Sequence, residues 1–424
     1  MKQLLKRLLP KELINRLVGP YHLLEAVAAS ARYGFPTRGM YVVQITGTNG
    51  KTTTSSFVAS ILKAAGHRVG VVSTAYFEIA GERIPNDKNF TNMNPRQLQP
   101  LLAQMRRAKV THLVLEVTSI GLDQYRVWGI PCNAAVMTNL TQDHLDYHQT
   151  MENYAAAKSK LFARKPALIA LNRDDEWFDY FNQFEAGEQK ITYGTHDDAD
   201  CRIKDVKLHQ DGSDVKLDID HQYHLKFHTQ LPGKFNVYNA TAAAAITYLM
   251  HIEAEDIEAG IAALEMVPGR LEPVDAGQAF QVFVDYAHTP DALQNVLETL
   301  RHLTKNRIIV VFGATGDRDK GKRPIMGEIV ANLADRVFVT DDETYTEDAA
   351  SIRSMIMEGI KKAGGEAKTE EVADRREAIE KAIKLARGND TVLITGMGHE
   401  QYRIMNGKRE PWNDAKVARE VLEA

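Results

Sequence analysis

Tyr41-Val-Val-Gln-Ile-Thr-Gly-Thr-Asn-Gly-Lys-Thr-Thr-Thr54 has the residue types and the order needed to hold nucleotide phosphates: an apolar strand, a glycine loop and the first turn of a helix. Gly47 and Gly50 let the backbone N–H groups of Thr48, Asn49 and their neighbours turn inward toward an anion. The helix beginning near Lys51 points its positive end at the same place. Lys51 is positioned to reach the terminal phosphates, the Thr52 hydroxyl to sit on Mg²⁺, and Thr53 to continue the cradle. The spacing departs from the usual G-x-x-x-x-G-K-[ST], because Ile45 stands at the first glycine position. The segment predicts ATP binding.

Two further places bear chemistry. Glu116 closes the apolar run Leu113-Val-Leu-Glu116, where a carboxylate needs a cation or a ligand; beside a phosphate loop it is a candidate Mg²⁺ ligand. The second is Thr138-Asn-Leu-Thr-Gln-Asp-His-Leu-Asp-Tyr-His148, which gathers Asp143, His144, Asp146 and His148 in one loop. That cluster reads either as metal-binding or as an exposed polar turn; no spacing matches a structural zinc site. Downstream, Tyr154–Phe162 reads as a helix whose Lys158 and Lys160 would ordinarily be solvated.

These groups have to be positioned by alternating strands and helices. Val42–Ile45, Val69–Ser73, His112–Val117 and Ala134–Leu140 read as strands, with Thr53–Ala65 and Pro95–Ala108 as helices. Residues 165–230 read as more strands and turns. A second such unit carries strands at Gln281–Tyr286, Ile308–Phe312, Arg336–Thr340 and Thr391–Thr395. The fold class is therefore α/β: a doubly wound, mostly parallel phosphate-loop sheet followed by a Rossmann-like domain. The expected domains are 1–38, 39–267 and 268–424, the last boundary at Val267-Pro-Gly269.

Composition is that of an ordinary globular chain, with 44% hydrophobic and 25% charged residues. The net charge of −4 gives no footing for nucleic acid. Two cysteines cannot form a disulfide framework, and no apolar run reaches membrane-span length, so a cytoplasmic location is expected. Leu4, Leu5, Leu8 and Leu9 beside Lys2, Lys6 and Arg7 suit a helix docked on the protein better than one on a membrane surface, since Pro10 interrupts it.

Further motifs follow in order: Gly233-Lys-Phe-Asn236-Val-Tyr-Asn239, Pro268-Gly-Arg270-Leu-Glu, Val284-Asp285-Tyr-Ala-His288-Thr-Pro and Gly316-Asp-Arg-Asp-Lys-Gly-Lys-Arg-Pro324. With the phosphate loop, Asn139–His148 and Ala-Ala-Lys158, the chain strongly resembles the Mur ligases of the MurE type over about residues 40–424. The resemblance implies an enzyme that uses ATP to activate an acceptor carboxylate as an acyl phosphate, which an amine then attacks. It implies metal ligands at Glu116, His144 and Thr52, with Lys158 carrying a CO₂-derived carbamate that supports a second Mg²⁺. Asn236 and Asn239 match a pair near adenine; Arg270 and Asp285 match residues that close over the nucleotide once the last domain has rotated inward.

Thr91, Thr118 and Arg126 match acceptor-binding positions, and Glu400 the group that holds the incoming α-amine. The implied partners are a UDP-linked muramoyl peptide and a free amino acid, with a monomer expected. Departures from the family pattern stand out. The family's N-terminal UDP-gripping domain is represented by about 40 residues, which opens the alternative of a cyanophycin- or polyglutamate-type acceptor. A catalytically silent ATP-binding homologue would need a lost ligand, yet Lys51, Glu116, His144 and Lys158 are all present. Asp342-Glu343-Thr344-Tyr345 stands where diaminopimelate-specific members carry Asp-Asn-Pro-Arg, and favours lysine or ornithine. Finally, Met397 replaces a lysine, and Ile120 a histidine.

Overall fold

A computed structural model describes residues 11–87, 91–209, 211–220 and 223–424. The leucine-rich start through Leu9 lies outside the described residues.

Eleven strands form one sheet: β1 (Tyr41–Thr46), β2 (Val69–Val72), β3 (Tyr76–Ile79), β4 (Glu82–Pro85), β5 (His112–Glu116), β6 (Ala134–Met137), β7 (Leu168–Asn172), β8 (Gln189–Gly194), β9 (Cys201–His209), β10 (Gly212–Ile219) and β11 (Tyr223–Thr229). Their order is β11-β10-β9-β8-β7-β6-β1-β5-β2-β3-β4. From β9 through β2 every pairing is parallel; the antiparallel hairpins sit at the two edges. β1 lies at the centre, between β6 and β5, and all of it beyond Tyr41 is buried. A strand buried on both faces reads as a continuous apolar run, which is why the sequence exposed it so clearly.

Helices cover both faces of this sheet. Lys51–Ala64 and Lys234–Leu249 pack together on one side, the second bringing a run of alanines, Ala242–Ala245, that allows close approach. Pro95–Arg107 lies on the other face, capped by Asn94, whose side chain accepts from the Gln97 amide, with Pro95 opening the helix. The helix Lys11–Arg32 docks on Pro95–Arg107, with Gln99 Nε2 donating to Ser30 Oγ at 3.1 Å.

The second sheet is built from β12 (Glu272–Pro273), β13 (Gln281–Asp285), β14 (Ile308–Phe312), β15 (Arg336–Val339), β16 (Thr369–Glu371) and β17 (Thr391–Thr395), in the order β12-β13-β17-β14-β15-β16. It is parallel except for β12 and has a core on each face. A hairpin, β18 (Tyr402–Met405) with β19 (Lys408–Pro411), follows it. The expected strands at His112–Val117 and Ala134–Leu140 end earlier, at Glu116 and Met137. The reason at β6 is that Thr138 and Asn139 leave the sheet to bond the phosphate loop.

Candidate active site

The loop between β1 and its helix is shaped by two glycines. Gly47 has φ 150°, and a Cβ there would lie 1.8 Å from Thr138 Oγ1. Gly50 has φ 82° and caps the helix in the left-handed conformation; its Cβ would meet Asn239 Oδ1 at 2.2 Å. The loop is held from below by Thr138 Oγ1 and Asn139 Nδ2, which donate to the Asn49 carbonyl, and by Asn139 Oδ1, which accepts from the Asn49 amide. Thr48 Oγ1 donates to the Thr141 carbonyl at 3.1 Å and touches Tyr154 Oη.

Two lysines converge on this loop. Lys51 Nζ donates to the Gly47 and Thr48 carbonyls at 3.0 and 2.7 Å, and Lys158 Nζ to the same Gly47 carbonyl at 2.7 Å. Burial, and then the neighbouring Lys51 charge, push the Lys158 pKa well down; burial also lowers that of Lys51. Lys158 is 1% exposed, so the solvated reading fails for it. It holds for Lys160, half exposed and paired with Asp123.

Glu116 is fully buried at the end of β5. Its Oε2 accepts from Thr74 Oγ1 at 2.6 Å, while Oε1 is buried with no partner among the described residues. Thr74 has one hydroxyl proton and gives it to Glu116, so Thr91, 2.7 Å away, is the donor to Thr74. The orphaned Glu116 oxygen, and the Thr52 hydroxyl and His144 imidazole that line the cleft, are donor types suited to Mg²⁺.

The loop after Asn139 does not form the four-residue metal cluster that its composition allowed. Among the described residues no three His, Cys, Asp or Glu side chains come together as ligands. His144 opens a short helix at φ 55°, and this turn sends its neighbours apart. Asp143 faces buried Lys322 at 3.5 Å, His148 Nε2 lies 2.9 Å from Ser119 Oγ, and Asp146 is exposed. The Lys322 charge holds the Asp143 carboxyl far below the usual carboxylate range despite burial.

A cleft of about 900 Å³ opens over the loop between the two sheets. Its walls carry residues 48–53, Thr91, Thr118, His144, Asn239, Arg270 and Asp285. Asn236 and Arg126 stand behind them: Asn236 accepts from Asn239 Nδ2, and Arg126 Nη1 donates to the Asn92 carbonyl. Thr118 caps the helix Ser119–Asp123 and is tied to Asn92 as well. Asp285 takes the Leu271 and Ala287 amides, and burial raises its pKa.

The second domain is closed onto the loop. Arg270 Nη2 donates to Thr52 Oγ1 at 3.2 Å and its guanidinium lies 4.6 Å over the Tyr286 ring. Asn49 Nδ2 donates to Asp291 Oδ2 at 2.6 Å.

Asp342, Glu343, Tyr345 and Glu400 gather apart from the phosphate loop, joined to the cleft through Tyr286, whose hydroxyl donates to Glu400 at 3.3 Å. All three carboxyls are buried and all have raised pKa values; Glu343 is pushed up to about 7 by burial and by Asp342. Sequence reasoning missed Thr74, Asn139, Tyr286 and Asp291. Tyr286 and Asp291 were already inside or beside a quoted motif; Thr74 carries no local signal.

A phosphate loop, a buried carboxylate at the neighbouring strand end and a second α/β domain closed over both define an ATP-using transferase or ligase core. Residues 45–247 match the Mur ligase middle domain and 269–398 the Mur ligase glutamate ligase domain. The chain is 41% identical over 402 residues to a UDP-N-acetylmuramoyl-L-alanyl-D-glutamate–2,6-diaminopimelate ligase of Syntrophomonas wolfei, covering 94% of this chain and 81% of that protein. It is 39% identical over 421 residues to one of Solibacter usitatus, covering 98% and 84%. A solved ligase of the same description superposes with TM-score 0.61 at 34% identity, over 91% of this chain and 78% of that one. A folylpolyglutamate synthase of Mycobacterium tuberculosis complexed with ADP shares the fold, with TM-score 0.75 at 20% identity over 88% and 91%. The chain belongs to the Mur ligase family. It is an ATP-dependent, ADP-forming carbon–nitrogen ligase, and Mur ligases use ATP and Mg²⁺.

Proposed function

We propose that the protein joins a diamino acid to UDP-N-acetylmuramoyl-L-Ala-D-Glu in peptidoglycan precursor synthesis. The observation that carries this reading is the meeting of phosphate loop and Arg270 at one cleft, with Lys158 bonded to the loop's Gly47 and Glu116 to Thr74 of the cleft wall, in a chain whose relatives bear that substrate in their names. Residues 39–267 act as the ATPase domain and 268–424 as the domain that delivers the amino acid.

The acceptor carboxylate oxygen attacks the γ-phosphorus, and the bond to the β-phosphate oxygen breaks to release ADP. The amine nitrogen then attacks the acyl carbon, loses a proton and displaces phosphate. Lys51 stabilises charge on the transferred phosphoryl group. Glu116, His144 and Thr52 are the residues that would hold Mg²⁺, which would supply charge neutralisation at the phosphates. Asn239, with Asn236 behind it, faces the base, and Arg270 and Asp285 close the cleft so that water is kept from the acyl phosphate. Thr91, Thr118 and Arg126 shape the acceptor side.

Lys158 is the site of carbamylation: a neutral amine attacks CO₂, a C–N bond forms as one C=O π pair moves onto oxygen, and the nitrogen loses a proton to leave the carbamate anion. Burial and the neighbouring Lys51 favour that neutral amine. The Lys158→Ala variant is expected to lose turnover and to regain part of it with a small carboxylate; full activity in the variant refutes the carbamate.

At the amine end, Glu400 takes the α-ammonium and Glu343 a distal ammonium, which favours lysine or ornithine. A second reading, diaminopimelate, is favoured by Arg318, whose guanidinium lies 5.1 Å over the Tyr345 ring and could meet a distal carboxylate. Phosphate release from Mg²⁺-ATP with the muramoyl dipeptide, offering each amino acid in turn, decides between them. Silence with all three, from protein that binds ATP, refutes the acceptor.

A further inference from the structure

His399 sits next to Glu400 in the second domain, 5% exposed, with its ring 5.0 Å from Tyr286. Its Nε2 lies 3.0 Å from the carbonyl oxygen of Thr74, which belongs to the phosphate-loop domain. A carbonyl can only accept, so Nε2 carries the proton and the tautomer is fixed. The other nitrogen, Nδ1, is buried with no partner among the described residues. The Thr74 carbonyl also accepts from Asn86 Nδ2 at 3.0 Å, so both of its lone pairs are used.

Thr74 is the residue whose hydroxyl fixes the buried carboxylate of Glu116, at 2.6 Å, with Thr91 donating to that hydroxyl oxygen. A chain of hydrogen bonds thus runs from the amino-acid end of the second domain, through one threonine, to the carboxylate on the metal side of the phosphate loop. Neither end of the contact is legible locally: His399 and Thr74 are 325 residues apart in sequence.

We propose that His399 is a positioning residue, whose bond to the Thr74 carbonyl makes the orientation of Glu116 depend on closure of the domain that carries Glu400. The proposal rests on the reading of Glu116 as a metal ligand. It means that metal and nucleotide are held in productive geometry when the amine-bearing domain is docked. An acyl phosphate is then formed only where the domain that delivers the amine is docked.

Side-chain geometry gives a direct test. A glutamine amide N–H reaches about as far as Nε2, whereas an asparagine amide reaches only to the position of Nδ1. The full chain and its His399→Gln, His399→Asn, His399→Ala and Thr74→Val variants are titrated with Mn²⁺ in the presence of a non-hydrolysable β,γ-methylene ATP analogue. Binding is read by electron paramagnetic resonance, and each variant is melted to show that it is folded at the assay temperature. Thr74→Val keeps the carbonyl and removes the hydroxyl that holds Glu116. The expected result is a loss of about 10–100-fold in Mn²⁺ affinity for the Asn, Ala and Thr74→Val variants. His399→Gln stays close to wild type, and the Ala/Val double variant is no weaker than the weaker single.

Wild-type affinity in His399→Ala, equal loss in the Gln and Asn variants, or additive losses in the double variant would each overturn the proposal. So would absence of Mn²⁺–nucleotide binding in the wild type. Normal ternary binding without turnover on the muramoyl dipeptide refutes the acceptor reading alone and leaves the role of His399 standing.

Discussion

Arg375 and Asp414 form an ion pair with both side chains fully buried, within electrostatic reach of Asp342 and Glu400. Asp414 accepts from Arg375 Nε at 2.8 Å and Nη2 at 2.6 Å, and from Trp412 Nε1 at 2.8 Å. Arg375 Nη2 also donates to the Thr395 carbonyl at the end of β17, and its charge faces Asp342. The Asp414→Ala variant strips a buried guanidinium of its bidentate partner and leaves the indole N–H without an acceptor. Breaking such a pair from one side costs about 3–5 kcal/mol, because the remaining charge stays desolvated. For a unit of this size that corresponds to a fall in the melting temperature of roughly 6–20 °C. Differential scanning calorimetry is the right assay, since it separates transitions if the two sheets melt as distinct units. An Arg375→Met/Asp414→Leu double variant should recover most of the loss, because an apolar pair carries no unpaired charge. A shift for Asp414→Ala within about 2 °C would refute the reasoning, since even a modest charge-assisted bond exceeds that.

Loss of the Asn49–Asp291 bridge should weaken closure over the nucleotide. An amide–carboxylate bond contributes about 1.5–3 kcal/mol, so Asp291→Ala should bind ATP about 10–100-fold more weakly, measured by calorimetric titration. Asp291→Asn keeps an acceptor and should lose less. For Glu343, the folded pKa of about 7 lies above the unfolded value, so the folded state binds more protons between them. Stability contributed by this group is present at low pH and declines as pH rises through about 7. Glu343→Gln should therefore raise the melting temperature at pH 8 and change little at pH 5. The amine substrate should in turn bind wild type better above pH 7, where Glu343 is anionic.

What the sequence disclosed and what it withheld divide by range. The central parallel strands were plain because burial on both faces leaves an uninterrupted apolar run, as in Tyr41–Thr46 and Ile308–Phe312. The phosphate loop was plain because its glycines are forced: a Cβ at Gly47 or Gly50 would strike Thr138 or Asn239. The Asp143–His148 loop stayed open between two readings because composition counts ligands but not directions, and the turn at His144 sends Asp143, His148 and Asp146 to Lys322, Ser119 and solvent. At Lys158 the local residues alone pointed to solvent, and only the resemblance pointed to the site. The helix of Lys158 has almost no apolar face of its own, and the fold shows that it carries the amine inward to Gly47. The cross-domain bonds of Asn49, Arg270 and His399 belong to neither domain's local pattern. They exist through the docking of two separately packed sheets. Substitutions at these positions should therefore alter the coupling of metal, nucleotide and amine while leaving each sheet's own stability nearly intact, the reverse of what Asp414→Ala should do.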